Sequence, residues 1–113
     1  MKELILEQLD AKGKNGQITV YGNRINITRK GFGGFMQHGF DGTKTIFINK
    51  LSGLQFKEAG NITAGFIQFI FSGSDESKGG LFGAGKDENT VLFDQNNQDN
   101  FAKIRDYIFE KLG

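Results

Sequence analysis

Apolar and polar residues alternate on both sides of the dipeptide Gly22-Asn23, and this pattern constrains the fold more than any other feature of the sequence. A Gly-Asn pair between two such segments is typical of a two-residue turn that joins antiparallel strands. Pairing the strands around this turn brings apolar residues together on one face, which fixes the register of a hairpin. The predicted partners are Tyr21 with Arg24, Val20 with Ile25, and Ile18 with Ile27.

The same two-residue period predicts further strands along the chain. We expect strands over residues 43–50 and 54–59, and these pair best through a five-residue connection. That connection matches apolar residues with apolar residues, whereas a tight turn at Ser52-Gly53 does not. The expected partners are Ile48 with Leu54 and Ile46 with Phe56.

Residues 63–71 form the most apolar segment of the sequence. Phe66 and Ile70 lie on one side of a strand there, and Ile67, Phe69 and Phe71 lie on the other. A strand that is apolar on both faces is typically buried on both. We expect one face to form the core and the other to be covered by the terminal helix, a loop or another subunit. A further short strand is predicted over residues 89–93.

The period changes near the end of the chain. Phe101, Ile104, Ile108 and Leu112 are separated by three, four and four residues, which is the spacing of one helical stripe. The sequence predicts a helix over residues 97–112 that begins at Asn97 and buries this stripe against the sheet.

Six or seven short strands followed by one helix predict a mainly β fold. We expect a small antiparallel barrel or sandwich, with one end capped by the C-terminal helix. A length of 113 residues allows one domain, spanning 1–113. Residues 1–12 are interpreted as an N-terminal extension or an extra strand.

The composition excludes several classes of chemistry. The absence of Cys excludes disulfides and thiolate metal sites, and a net charge of +1 argues against a dedicated nucleic-acid binder. His38 is the single histidine, and Asp41 is its one close acidic neighbour in sequence. Because no nucleophile accompanies a base, we expect no enzymatic activity, no cofactor and no metal.

One pattern suggests phosphate binding but is incomplete. Residues 80–86 match the first seven positions of a phosphate-binding P-loop, but Asp87 stands where Ser or Thr must bind magnesium. A strand is predicted to follow, where a P-loop requires a helix. We therefore interpret residues 72–86 as a Gly-rich and Ser-rich loop.

No apolar run approaches the length of a membrane-spanning helix, and residues 1–10 lack the pattern of a signal peptide. We expect a cytoplasmic protein, and membrane contact is not the favoured function.

Residues 31–42 combine five glycines with a cluster of large apolar side chains. The glycines favour a long loop over a helix or strand. Phe32, Phe35, Met36 and Phe40 either fold over the mouth of the barrel or protrude and form a contact with a protein partner or a second copy. A third interpretation, insertion into a lipid surface, has only Lys30 and Lys44 as flanking cations. Phe109, which lies off the helical stripe, is a further candidate for such a contact.

Several segments together resemble the bacterial pleckstrin-homology-like (PH-like) domains of uncharacterised function. The resemblance covers about residues 13–112 and rests on segments 54–60 (LQFKEAG), 65–69 (GFIQF), 87–93 (DENTVLF) and 100–108 (NFAKIRDYI). It implies two roughly orthogonal antiparallel sheets with a C-terminal helix that closes one end. Such domains also occur beside a short helical segment called SHOCT, and we expect a stand-alone form without it, as found in bacteria and their prophages.

The resemblance implies binding or oligomer assembly and no catalysis. Eukaryotic members often bind inositol phosphates through basic residues around the first hairpin loop, but Gly22-Asn23 leaves no long loop here. Arg24 and Arg29 are an odd number of residues apart, so we expect them on opposite faces. The favoured function is protein binding or self-association. The alternative is a small ligand or membrane surface bound at the barrel mouth and the Gly-rich loops.

Overall fold

The computed structural model describes residues 8–29, 42–71 and 88–113. These ranges contain seven strands, two single turns of 3-10 helix and one α-helix. The strands are β1 (Gln8–Lys12), β2 (Gln17–Tyr21), β3 (Arg24–Thr28), β4 (Thr43–Phe47), β5 (Leu51–Lys57), β6 (Gly65–Phe71) and β7 (Thr90–Phe93). The 3-10 turns are Ile48–Lys50 and Gln95–Asn97, and the α-helix, α1, is Gln98–Leu112.

The first sheet has the strand order β1-β2-β3-β4 and is antiparallel throughout. The predicted hairpin is confirmed, with the register that the alternating pattern fixed. Gly22 adopts a φ of 56° in the turn, a conformation that disfavours side chains with a Cβ. The apolar residues of β2 and β3 are fully buried on one face: Ile18, Val20, Ile25 and Ile27.

The predicted pairing of residues 43–50 with 54–59 is wrong. β4 pairs with β3, where Ile46 faces Ile25, and the chain then makes the 3-10 turn Ile48–Lys50 into the second sheet. β5 pairs with β6, where Phe56 faces Ile67. The observed pairs β3–β4 and β5–β6 match apolar residues with apolar residues, and so does the predicted pair β4–β5. Apolar matching alone therefore did not distinguish the correct pairs from the predicted one.

The second sheet has the strand order β5-β6-β7, and β6 is its central strand. Residues 65–69 of β6 are buried, which confirms the expected burial on both faces over this part of the strand, whereas Ile70 and Phe71 are half-buried. Ile67 and Phe69 belong to the main core, which also contains the buried residues of α1, whereas Phe66 is buried outside that core. The helix therefore packs on the core face, and the same helix does not cover the face of β6 that carries Phe66.

The C-terminal helix has the predicted position. Phe101, Ile104 and Ile108 are fully buried, but Leu112 is 38% exposed and does not extend the buried stripe. Asn97 occupies the N-cap position without a side-chain capping bond. The helix start is held from the sheet side instead, because the Oε1 of Gln98 accepts a hydrogen bond from the backbone N–H of Ala59 at 2.5 Å.

Within the ranges that the structure describes, no helix is both long enough and apolar enough to cross a membrane.

Candidate interaction surface

The sequence predicts five residues for an interaction surface, and the described part of the chain includes one of them. Phe109 lies on α1 and is 47% exposed, as expected from its position off the buried stripe. Phe32, Phe35, Met36 and Phe40 lie outside the described residues, as do His38 and the P-loop-like segment 80–86.

Phe109 belongs to a continuous side of the helix that we call the helix flank, made of Ala102, Arg105, Phe109 and Leu112. Separations of three, four and three residues place these side chains together beside the buried stripe. Phe109 and Leu112 are two of the four large apolar side chains that are exposed in the described ranges; the others are Phe47 and Ile62. Water-exposed apolar groups on one turn of a helix favour contact with another surface.

The helix flank adjoins the second sheet through Arg105. Its guanidinium carbon lies 4.5 Å from the ring centroid of Phe56 on β5, and its Nε donates to Asp106 Oδ1 at 2.9 Å. β5 is an edge strand, and in the described ranges it pairs with β6 alone. The flank therefore combines apolar side chains, a stacked cation and a neighbouring sheet edge, which are the elements of a protein contact.

The opposite side of the helix is held closely against the first sheet. Tyr107 donates its hydroxyl to the carbonyl of Gly22 at 2.8 Å, and Lys111 Nζ lies 5.3 Å from the Tyr107 ring centroid. A shallow cavity of about 280 Å³ lies beside these contacts. Its lining is Leu9, Lys103, Asp106, Tyr107 and Glu110. Because charges of both signs meet in it, the cavity indicates no single class of ligand.

A second, more polar cavity of about 370 Å³ lies at the β5–β6 turn. Lys14 and Asp94 bring opposite charges to its wall, and Ile62 at its rim is 95% exposed. In the described ranges no three potential metal-ligating side chains of the His, Cys, Asp and Glu types gather in one place.

The two arginines near the first hairpin lie in different environments, as expected. Arg24 is exposed on β3, with its guanidinium carbon 5.7 Å from the ring centroid of Phe47. The Arg24 and Asn26 side chains hydrogen-bond the Tyr21 oxygen and lower the pKa of that phenol below its ordinary value. Arg29 is only 2% exposed. The two guanidinium groups therefore do not converge on a common anion site.

Sequence reasoning missed the part that Arg29 plays between the two sheets. Its Nη1 donates to the Asn15 carbonyl at 2.8 Å, and its Nη2 donates to the Glu88 and Thr90 carbonyls at 2.9 Å each. The Oδ1 of Asn15 accepts from the Leu92 N–H at 2.8 Å. We call turn 13–16, Arg29 and Leu92 the seam, because these contacts join the first sheet to β7.

The seam lies next to the residues that flank two Gly-rich segments of the chain. The backbone N–H of Arg29 donates to the Gly42 carbonyl at 3.1 Å, across the ends of segment 30–41. Lys44 forms an ion pair with Glu88 at 3.1 Å, next to the end of segment 72–87. Both segments therefore join the described structure at the same corner, which local sequence patterns did not indicate.

No curated protein and no solved structure matches this chain. One family model does match, over residues 18–108, and it covers the fold from β2 to the last buried residue of α1. The chain therefore belongs to the family described as a domain of unknown function, DUF4429.

Proposed function

We propose that this chain is a non-enzymatic, PH-like binding or assembly module that acts through protein–protein contact or self-association. The PH-like part of the proposal is supported by the architecture. Two antiparallel sheets, of four and three strands, are followed by one C-terminal helix that packs on the core. This is the arrangement that the sequence resemblance implies.

The observation that carries the functional proposal is the exposure of Phe109 and Leu112 on the helix flank. The helix needs Phe101, Ile104 and Ile108 for the core, and these three are fully buried. Phe109 and Leu112 are less completely buried, with 47% and 38% of their surface exposed to water. Burying such a surface against another protein is favourable by about 25 cal/mol per Å².

The surroundings of Phe109 favour a protein as the occupant of this surface. Arg105 and Asp106 provide charged groups around an apolar centre, and β5 provides a sheet edge next to it. An apolar centre with a polar rim is the usual composition of a protein–protein interface.

The mass of the chain in solution, measured by light scattering at increasing concentration, tests the self-association half of the proposal. We expect Phe109→Ser to weaken association at least about tenfold, as truncation of a central aromatic residue does. Glu110→Ser is the matched control, because it changes an exposed residue of the same helical turn to the same residue. A strictly monomeric wild-type chain would exclude self-association.

If self-association is excluded, the second measurement is binding to a partner protein. We expect wild type and Glu110→Ser to bind the partner and Phe109→Ser to lose this binding. If wild type, Glu110→Ser and Phe109→Ser have the same mass in solution and bind partner proteins equally, the helix flank is not the contact surface and the proposal fails.

A further inference from the structure

Asn15 is followed by Gly16, and no other asparagine of the chain precedes a glycine. Asparagine before glycine is chemically labile, because a residue without a side chain lets the following backbone nitrogen reach the asparagine side-chain carbonyl. Both residues nevertheless take part in the seam. Asn15 supplies the acceptor for Leu92, and a Cβ at position 16 would lie 3.0 Å from Arg29 Nη1.

We propose that Asn15 is a latent deamidation site, that the closed seam protects it, and that its conversion destabilises the seam. The reaction involves no partner molecule other than water. The backbone nitrogen of Gly16 gives up its proton and attacks Cγ of Asn15, the new C–N bond replaces the Cγ–Nδ2 bond, and the amide nitrogen leaves with that proton as ammonia. Water then adds to one of the two carbonyls of the cyclic imide, and the bond from that carbonyl to the ring nitrogen breaks. Cleavage at the side-chain carbonyl yields aspartate, and cleavage at the backbone carbonyl yields isoaspartate.

The folded structure opposes the first step of this reaction. Asn15 is 2% exposed, and its side chain is held by the hydrogen bond from Leu92. Its backbone carbonyl is held by Arg29. The turn itself is closed by a hydrogen bond from the Gly13 N–H to the Gly16 carbonyl at 2.8 Å. Ring closure needs the Asn15 side chain and backbone free to bring Cγ onto the Gly16 nitrogen. Because these hydrogen bonds restrain both, we infer that the seam must open before the reaction proceeds.

The rate of deamidation in the folded protein is therefore the rate in the unfolded chain multiplied by the fraction of molecules with an open seam. This makes the ratio of the two rates a measure of local opening.

The two products act differently on the seam. Aspartate keeps an oxygen that Leu92 can donate to, and both products bring a negative charge into a buried position. Isoaspartate also inserts a methylene into the backbone, and the former backbone carbonyl, which accepts from Arg29, becomes a free carboxylate. We expect the isoaspartate form to lose the hydrogen bonds that hold the seam. A molecule that has been unfolded for a long time therefore keeps an isoaspartate at position 15 after it refolds.

The first test compares peptide maps of the wild-type chain incubated folded and in urea, at the same pH and temperature. We expect Asn15 to convert at least about a hundredfold more slowly in the folded protein, which corresponds to a small open fraction. Asn61, which is exposed and precedes Ile62, is the internal control and changes little between the two conditions. Similar rates for Asn15 in both conditions would contradict the proposal.

The second test opens the seam without unfolding the chain. Arg29→Met removes the three bonds from the guanidinium, and we expect conversion of Asn15 in the folded variant to rise roughly tenfold or more. Arg24→Met is the matched control on the same strand and leaves the rate unchanged. If Arg29→Met does not fold, wild type in urea below its unfolding midpoint replaces it, and the rate must then rise with urea. If the rate of Asn15 conversion does not rise in the experiment performed, the proposal is wrong.

The third test concerns the product. Wild-type chain converted in urea and then refolded is separated into its aspartate and isoaspartate forms. The isoaspartate form is expected to unfold at lower urea than Asn15→Asp and than unconverted protein. Equal midpoints for all three would show that the seam tolerates the longer backbone, and the predicted destabilisation would be wrong.

Discussion

Nη1 of Arg29 donates to the backbone carbonyl of Asn15 at 2.8 Å, and both residues are almost completely buried. The same guanidinium reaches the carbonyls of Glu88 and Thr90, which lead into the second sheet. A single side chain at the end of β3 therefore connects the turn before β2 with the start of β7. Because carbonyl oxygens left without donors in a buried site are costly, this connection contributes to the stability of the whole domain.

Replacing Arg29 by methionine is expected to lower the free energy of unfolding by about 2–4 kcal/mol, since two buried carbonyls and one partly buried carbonyl lose a charged donor. Arg24→Met serves as the control and is expected to cost less than about 1 kcal/mol, because Arg24 is exposed. Urea unfolding followed by circular dichroism measures both. If Arg29→Met and Arg24→Met lose the same free energy of unfolding, the hydrogen bonds of the seam do not contribute more to stability than an exposed arginine does.

Gly13 is expected to tolerate no side chain. A Cβ there would collide with the Leu92 carbonyl and lie 2.8 Å from Val91 Cγ1. Since Leu92 is part of the seam, Gly13→Ala must push turn 13–16 away from β7, and we expect a loss of at least about 2 kcal/mol. A Cβ at Gly53 meets nothing within 4 Å, so Gly53→Ala is expected to be neutral or slightly stabilising. Thermal unfolding of both variants distinguishes the two sites, and a stable Gly13→Ala protein would contradict the close approach.

The two phenylalanines of the helix are expected to separate stability from binding. Phe101 is fully buried and its ring centroid lies 4.5 Å from that of Phe93, so Phe101→Ala is expected to cost about 3–5 kcal/mol. Phe109→Ala is expected to change the free energy of unfolding by less than about 1 kcal/mol. Calorimetry provides the comparison. A large loss at Phe109 would assign this residue to the core and remove it from the proposed contact surface.

Tyr21 is expected to lose its proton at a lower pH than an ordinary tyrosine, because Arg24 and Asn26 hydrogen-bond its oxygen and lower its pKa. Folding therefore favours the ionised phenol. Stability from this group is absent below the lowered pKa and grows as the pH rises from the lowered pKa toward the ordinary value near 10.

Absorbance titration of the phenolate in a Tyr107→Phe background isolates Tyr21, since the chain has two tyrosines. Arg24→Met is expected to raise the midpoint of the titration. A midpoint that the variant leaves unchanged would show that Arg24 does not act on this hydroxyl.

The sequence determines the local elements of this protein. Alternation around Gly22-Asn23 was enough to fix the register of β2 with β3, and spacings of three and four residues were enough to place α1. Both signals lie within a short stretch of chain, where the period of apolar residues reports directly on backbone geometry. The exposure of Phe109 followed from the same helical period.

Tertiary structure alone decided which strands pair across the chain and which polar residues are buried. Ile46 and Phe56 match each other in sequence, yet they lie in different sheets, because apolar faces are interchangeable until the whole core is assembled. Arg29 and Asn15 are polar residues at strand ends, positions that are usually solvated, and only the approach of β7 supplies the carbonyls and the N–H group that bury them. Burial of a polar group depends on partners distant in sequence, and no local pattern records them.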